Sequence, residues 1–261
     1  MTESWLAPKS PDLVWFRGKD AVRFLNDLIS REISSMTSGD VRRSLLLGPD
    51  GKLDHVLWVL KFDDEVGLVT DPGRGEELAN TLGRYRIRVD VEIVPEPEPV
   101  WLVMGPYAGV DVSWGRTKRA LVVGARPDLP VGTDSEYHRE RIAAGEPEWG
   151  VDIDEKTIPQ ETGLVGATVD FDKGCYLGQE LVARIDSRGG NVPRHLRMVT
   201  LSAPVDPGSP VFHGERQVGV LSSVAETSGL GMIRREVLPG EEVRVDGVGG
   251  TVREIPQKAK T

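Results

Sequence analysis

The chain has 261 residues, 39% of them hydrophobic and 28% charged, which supplies a substantial core for one large domain or two to three small ones and excludes wholesale disorder. Its formal net charge is −9, and Arg31, Arg42, Arg43, Arg84, Arg86 and Arg88 are scattered rather than gathered in one basic run, so direct nucleic-acid binding is not expected. No apolar run approaches the roughly 20 residues that span a bilayer, and the single cysteine, Cys175, excludes an intrachain disulfide and suits a reducing cytoplasm.

Met1 to Pro11 holds no basic flank leading into an apolar stretch and does not read as a signal peptide. Asp20 to Ile29 reads as an amphipathic helix capped by Asp20, with Ala21, Phe24, Leu25, Leu28 and Ile29 at helical spacing. Arg43 to Leu47 and Leu53 to Phe62 read as strands around an Asp50-Gly51 turn, and Val66 to Thr70 follows a second turn at Asp63-Asp64. Glu76 to Leu82 predicts a short helix. Val89, Val91 and Ile93, alternating with Asp90 and Glu92, predict a half-buried strand. The prolines of the Pro95–Pro99 run remove backbone donors, so the run is expected to be a strand exit or short linker.

Val100 to Met104 and Ala120 to Val123 are two more apolar strands. Ser135 is expected to cap a helix running through Tyr137, Arg141 and Ile142 to Gly145, with Pro147 beyond its end. This order predicts small α+β units. From Val199 onward, short β runs (Val199 to Leu201, Val211-Phe212, Val218 to Leu221, Val243 to Val245, Thr251 to Ile255) are punctuated by Gly208, Gly214, Gly240 and Gly247, which predicts a small barrel or sandwich.

The most informative stretch is Phe171-Asp172-Lys173-Gly174-Cys175-Tyr176-Leu177-Gly178-Gln179-Glu180, running on to Arg184. Two readings are open. In one, Gly178 starts a helix, Glu180 and Arg184 pair on its surface, and Cys175 is a small buried hydrophobe. In the other, Gly174 and Gly178 let backbone approach a ligand, and Gln179 and Glu180 read the edge of a pterin-like ring.

The run Lys-Gly-Cys-Tyr-x-Gly-Gln-Glu resembles the signature of the YgfZ family, relatives of the glycine-cleavage T-protein. Four weaker stretches in the right order are similar to that family: Phe16 to Ile29; Arg141 to Pro147 with Gly150 and Asp152; Ile158 to Glu161; and Val218 to Ser223 with Gly231 to Arg235. The resemblance implies an α+β, T-protein-like, three-domain arrangement: two small ferredoxin-like units around a central folate hole, plus a C-terminal small β-barrel. The expected domains are 1–50 with 135–192 (folate-binding), 51–134, and 193–261 (barrel). Tetrahydrofolate or a derivative is the implied cofactor. Cys175 is the implied functional thiol, and Lys173, Gly174, Tyr176, Gly178, Gln179, Glu180 and Arg184 are the implied cofactor-binding residues. The implied role is that of a cytoplasmic accessory protein serving iron–sulfur client or assembly proteins, including tRNA-modifying enzymes, rather than a stand-alone enzyme. No membrane partner is expected.

In T-proteins the segment after the first hairpin turn carries an aspartate that works beside the folate nitrogen. The matching stretch here puts His55 or Val56 at that position, with Asp54 one residue away, and a shift of one residue along a strand turns a side chain to the opposite face. A one-carbon transferase therefore stands as the alternative, beside a non-catalytic interaction module. On a half-buried strand His55 is expected to be a satisfied packing residue. No histidine pair has metal-ligand spacing and one thiol cannot supply the several that a cluster takes, so no metal site is expected. Arg184, Arg188, Arg194 and Arg197 form either a solvated surface or, in part, a seat for a folate glutamate tail.

Overall fold

The computed structural model describes residues 3–95, 98–115 and 117–256. The chain divides into two compact units. Met1–Ser113, Thr117–Gly132 and Ala167–Leu181 form one, and Trp114–Arg116, Thr133–Gly166 and Val182–Thr261 the other.

The first unit contains β1 (Trp5–Leu6), β2 (Asp12–Arg17), α1 (Ala21–Asn26), β3 (Val41–Leu47), β4 (Leu53–Lys61), β5 (Glu65–Thr70), α2 (Gly75–Gly83), β6 (Glu92–Pro95), β7 (Val100–Met104), β8 (Val110–Asp111) and β9 (Arg119–Val123). Five strands pair in the order β3-β4-β5-β2-β6 and four in the order β1-β7-β9-β8, all antiparallel. Alternation along the strands gives the larger sheet two apolar faces. Phe16, Leu57 and Leu68 pack with Phe24 and Leu25 of α1 and Leu78 of α2. Leu13, Trp15, Leu60 and Val69 pack with Val100 and Leu121 of the smaller sheet. The expected boundary at residues 50 and 51 falls inside the turn joining β3 to β4, which are neighbours in one sheet.

Three local expectations need correction here. The first helix is only six residues long. Asp20 sits at its N-cap position, but the carboxylate does not cap; it accepts from the Asp90 backbone N–H at 2.9 Å and from Arg23 at 3.1 Å. Ile29, expected in that helix, instead bridges to Leu46. Asp12 to Arg17, unassigned from sequence, is the strand between β5 and β6. Pro95 ends β6 at the sheet edge, where a missing donor costs nothing. Glu96 and Pro97 of the expected linker lie outside the described residues.

The second unit holds α3 (Asp134–Ala143) and a closed barrel of β10 (Arg194–Leu201), β11 (Pro210–His213), β12 (Arg216–Ala225), β13 (Ser228–Arg234), β14 (Glu242–Val245) and β15 (Val248–Arg253), in the order β10-β13-β12-β11-β14-β15. The expected α+β class and C-terminal barrel are both present. Thr133, not Ser135, caps α3: its hydroxyl accepts from Glu136 N–H, and the Glu136 carboxylate accepts from Thr133 N–H at 2.8 Å, a full capping box. Ile142 of α3 packs on Leu196 and Leu230 of the barrel wall. Two further helices, α4 (Val165–Thr168) and α5 (Gln179–Ser187), flank the signature segment. No helix among the described residues is long and apolar enough to cross a membrane.

Candidate functional site

The signature segment lies in an irregular strap between α4 and α5, and within the first unit it is stitched to residues 26–32. Ser30 Oγ donates to the Thr168 carbonyl at 2.7 Å and accepts from Leu45 N–H at 2.8 Å. The Asp170 carboxylate accepts from Glu32 N–H at 2.9 Å and pairs with Arg31 at 3.0 Å. Lys173 completes the seam. Its ammonium donates to the carbonyls of Asn26, Ile29 and Arg31 at 2.6, 2.8 and 3.1 Å. Burial pushes the Lys173 pKa down to about 8, against the pull of Glu32 and Asp170.

With three donors used on three carbonyls, Lys173 fixes the strap, and Gly174 and Cys175 follow at the surface. Cys175 is free and exposed, not the buried hydrophobe that the plain packing reading required. A Cβ placed on Gly174 would meet nothing within 4 Å, so the chain beside the thiol is open to an approaching group. Tyr176 turns inward and is buried, its ring centroid 5.3 Å from the Lys173 ammonium, and burial pushes its hydroxyl up to about 12.

Gly178 has a different job from the expected one. Its φ is +74°, and an added Cβ would lie 2.5 Å from the Gly48 carbonyl and 2.8 Å from Leu47 Cβ. The close approach is therefore to the β3–β4 turn, backbone against backbone. Gln179 opens α5 with its Oε1 accepting from Tyr176 N–H at 3.2 Å, which leaves its amide donors as what it can offer a ligand. Glu180 and Arg184 are both exposed on this helix.

The other arginines divide. Arg188 is exposed. Arg194 forks onto buried Glu161, with Nε at 3.0 Å from one carboxylate oxygen and Nη2 at 3.4 Å from the other. Arg197 is half-buried, with Glu254 at 3.8 Å. In the second unit Arg141, Asp152, Ser222 and Ser223, all from stretches that resembled the family, form one buried hydrogen-bonded network. Beside it lies a groove of about 710 Å³ lined by Asp152, Asp154, Thr157, Arg194, Gln217 and Ser222 among others.

His55 is only half satisfied. It is fully buried in β4, and its Nδ1 lies 3.0 Å from Thr70 Oγ1, but its Nε2 has no hydrogen-bond partner. Burial pushes its pKa down to about 3, so the imidazole is neutral. Burial pushes the neighbouring Asp54 carboxyl up.

Two small sheets, helices on one face and a six-stranded closed barrel are the elements of the glycine-cleavage aminomethyltransferase fold. The solved aminomethyltransferase T of Bartonella henselae matches with a TM-score of 0.80 over 99% of this chain and 87% of that one, at 16% identity. A family model described as the CAF17 C-terminal β-barrel domain matches residues 194–259. Among curated relatives, the putative chloroplastic transferase At1g60990 of Arabidopsis thaliana is 31% identical over 71% of this chain, and the match spans 44% of the plant protein's length. The human mitochondrial iron–sulfur cluster assembly factor IBA57 is 28% identical over 87% of this chain and 76% of its own length. These similarities support the expected resemblance to IBA57 and the YgfZ proteins, which the run at residues 173–180 first suggested.

Proposed function

We propose that this protein is a reduced-folate-binding accessory factor for the assembly or repair of iron–sulfur enzymes, tRNA-modifying ones among them, working in a reducing compartment such as the cytoplasm. The observation that carries the reading is the exposed Cys175 on a strap whose position Lys173 fixes. A thiol that served packing would be buried. One held at the surface beside an open glycine can reach a partner's metal or cluster, because sulfur is a soft ligand. One thiol is too few to hold a cluster alone, so the partner supplies the remaining ligands. The name of the human relative, an iron–sulfur cluster assembly factor, supports this role.

The folate part rests on the donor set near the thiol. Gln179 offers amide donors, Glu180 a carboxylate and Arg184 a guanidinium suited to the folate glutamate tail, while the buried Tyr176 ring lies against the Lys173 ammonium instead. Gly174 leaves room beside them, while Lys173 and Gly178 act by holding the segment rather than by touching the ligand. When bound, a reduced folate supplies a nitrogen able to carry a one-carbon unit. Calorimetric titration with tetrahydrofolate and its formyl and methylene forms tests the reading. Ligand at 100 times its dissociation constant raises unfolding free energy by about 2.7 kcal/mol, and a flat melting temperature at millimolar ligand refutes folate binding.

A one-carbon transferase is the second reading, favoured by the aminomethyltransferase fold and by Asp54 beside the expected catalytic position. Production of methylene-tetrahydrofolate from an aminomethylated lipoyl carrier, at rates matching a true T-protein, decides for it. Because a positioned acid–base group typically contributes about 10²–10⁴-fold, absence of that activity decides for the accessory role.

A further inference from the structure

We propose that Asp54, His55 and Glu77 form a binding site for a divalent first-row transition ion of the zinc or iron(II) type, separate from Cys175 and its strap. Each residue offers one ligand atom, and these atoms all lie within 4.8 Å of one another. A tetrahedral ion with bonds of 2.0–2.2 Å needs its ligands about 3.4 Å apart. Modest rotation of the two carboxylates closes that gap, and Glu77 stands on the first turn of α2, where its exposed side chain is able to move.

A backbone irregularity brings the residues together. In a regular strand Asp54 and His55 would point to opposite faces. Here Leu46 pairs with His55 and Leu47 with Leu53, so Asp54 is the extra residue of a β-bulge. The bulge takes Asp54 out of alternation and places its carboxylate 3.9 Å from His55 Nε2.

The imidazole is the observation that asks for a ligand. Its side chain has no solvent exposure and its Nε2 has no hydrogen-bond partner. Orphaned buried polar atoms are rare in native proteins. If Nδ1–H donates to Thr70 Oγ1 across the 3.0 Å contact, the Nε2 lone pair is left beside two carboxylates; Arg74 offsets their charge from one side, at 2.9 Å from Glu77 and 3.9 Å from Asp54, but gives Nε2 no hydrogen bond, and an ion would supply that missing partner. A partner on the far ring nitrogen that fixes the tautomer is the usual outer support of a metal-bound histidine.

Arg74 supplies the second support. Its Nε holds Glu77 Oε2 at 2.9 Å and its Nη1 holds the Asp54 carbonyl at 2.8 Å, leaving the other Glu77 oxygen for an ion. One neutral imidazole with two carboxylates suits borderline divalent ions better than magnesium or calcium, which take all-oxygen sites.

Isothermal titration of the full chain with Zn²⁺ tests the proposal, with Co²⁺ absorption as a probe of ligand type. The expected result is one ion per chain, a shift of the His55 Nε2 nitrogen resonance on adding Zn²⁺, and affinity weakened at least about 10-fold in Glu77→Gln and in Asp54→Asn, the scale at which even outer-shell changes act. Glu77 is more than half exposed, so Glu77→Gln folds whatever Asp54→Asn does, and circular dichroism confirms it. Binding persists in Cys175→Ser. No heat with zinc at tenth-millimolar concentration, binding that survives both carboxamide variants, or an unmoved His55 resonance overturns the proposal.

Discussion

Arg141 and Asp152 form a fully buried ion pair in the second unit: Arg141 Nη1 donates to Asp152 Oδ2 at 2.7 Å, and the two side chains are 2% and 0% exposed. Asp152 also accepts from Ser222 and Ser223 on Oδ1 and from Glu148 N–H on Oδ2, while Arg141 Nη2 donates to Ser223 Oγ. Consecutive strand residues do not normally reach one partner. A register shift between Leu221 and Ser223 bulges β12 and turns both hydroxyls to the same carboxylate.

Removing one partner of a buried pair costs about 3–5 kcal/mol where the other charge is left uncompensated, and here Arg141 keeps a second carboxylate, Glu148, at 3.0 Å, which places the cost at the lower end. Asp152→Ala is therefore expected to lower the unfolding free energy obtained from urea titration by about 3 kcal/mol. Arg141→Met combined with Asp152→Leu recovers part of the loss, because the charge and its counter-charge leave together. A single variant within 1 kcal/mol of wild type would show that the network is not a stability determinant.

Lys173→Met keeps the aliphatic stem and deletes the donors that hold the carbonyls of Asn26, Ile29 and Arg31. Unsatisfied buried acceptors cost about 1–3 kcal/mol. The loss is local: amide exchange in residues 168–178 is expected to accelerate more than exchange in β2 or β4. Uniform acceleration over the whole unit would contradict a strap-fixing role.

Gly178→Ala combines a positive φ with a Cβ 2.5 Å from the Gly48 carbonyl. The conformational part alone is about 1–2 kcal/mol, and the clash with the β3–β4 turn adds to it. Gly174→Ala, with nothing within 4 Å of the added carbon, is the matched control and is expected to leave the melting temperature close to wild type. Equal effects at the two positions would count against the close approach at Gly178.

The order of strands was legible where apolar alternation was regular, as in β4, or an apolar run was compact, as in β7, whereas in the barrel β13 and the first half of β10 escaped the pattern. Within the signature segment, two residues make contacts that local pattern did not predict. Lys173 spends its charge on backbone carbonyls 142 to 147 positions away, and Gly178 makes room for another turn. Neither partner is visible from local pattern. The Asp54–His55–Glu77 cluster was missed for the same reason: spacing rules look for ligands on one element, and this set joins a bulged strand to a helix. A histidine in an apolar strand next to an aspartate was the only available signal.

Glu32 gives a pH dependence of definite sign. Burial raises its carboxyl pKa, but the hydrogen bonds from Ser35, Arg42 and the backbone N–H groups of Ser35 and Ser34 outweigh it and lower the pKa from 4.5 to about 2. The unfolded chain therefore binds more protons between those values, so this increment of stability is complete above about pH 4.5 and is lost as pH falls towards 2. Wild type is expected to lose more stability than Glu32→Gln across that window. Parallel pH profiles would contradict the assignment.

Cys175→Ser separates a chemical role of the thiol from a packing one. Serine has nearly the same shape but is neither a soft ligand nor redox-active, and Cys175 is exposed, so melting temperature and folate affinity are expected to match wild type. The decisive measurement is the activity of an iron–sulfur enzyme in cells lacking the native gene and supplied with the variant. A folded, folate-competent serine variant is expected to leave that activity unrestored. Full restoration by the same variant would contradict a chemical role of the thiol.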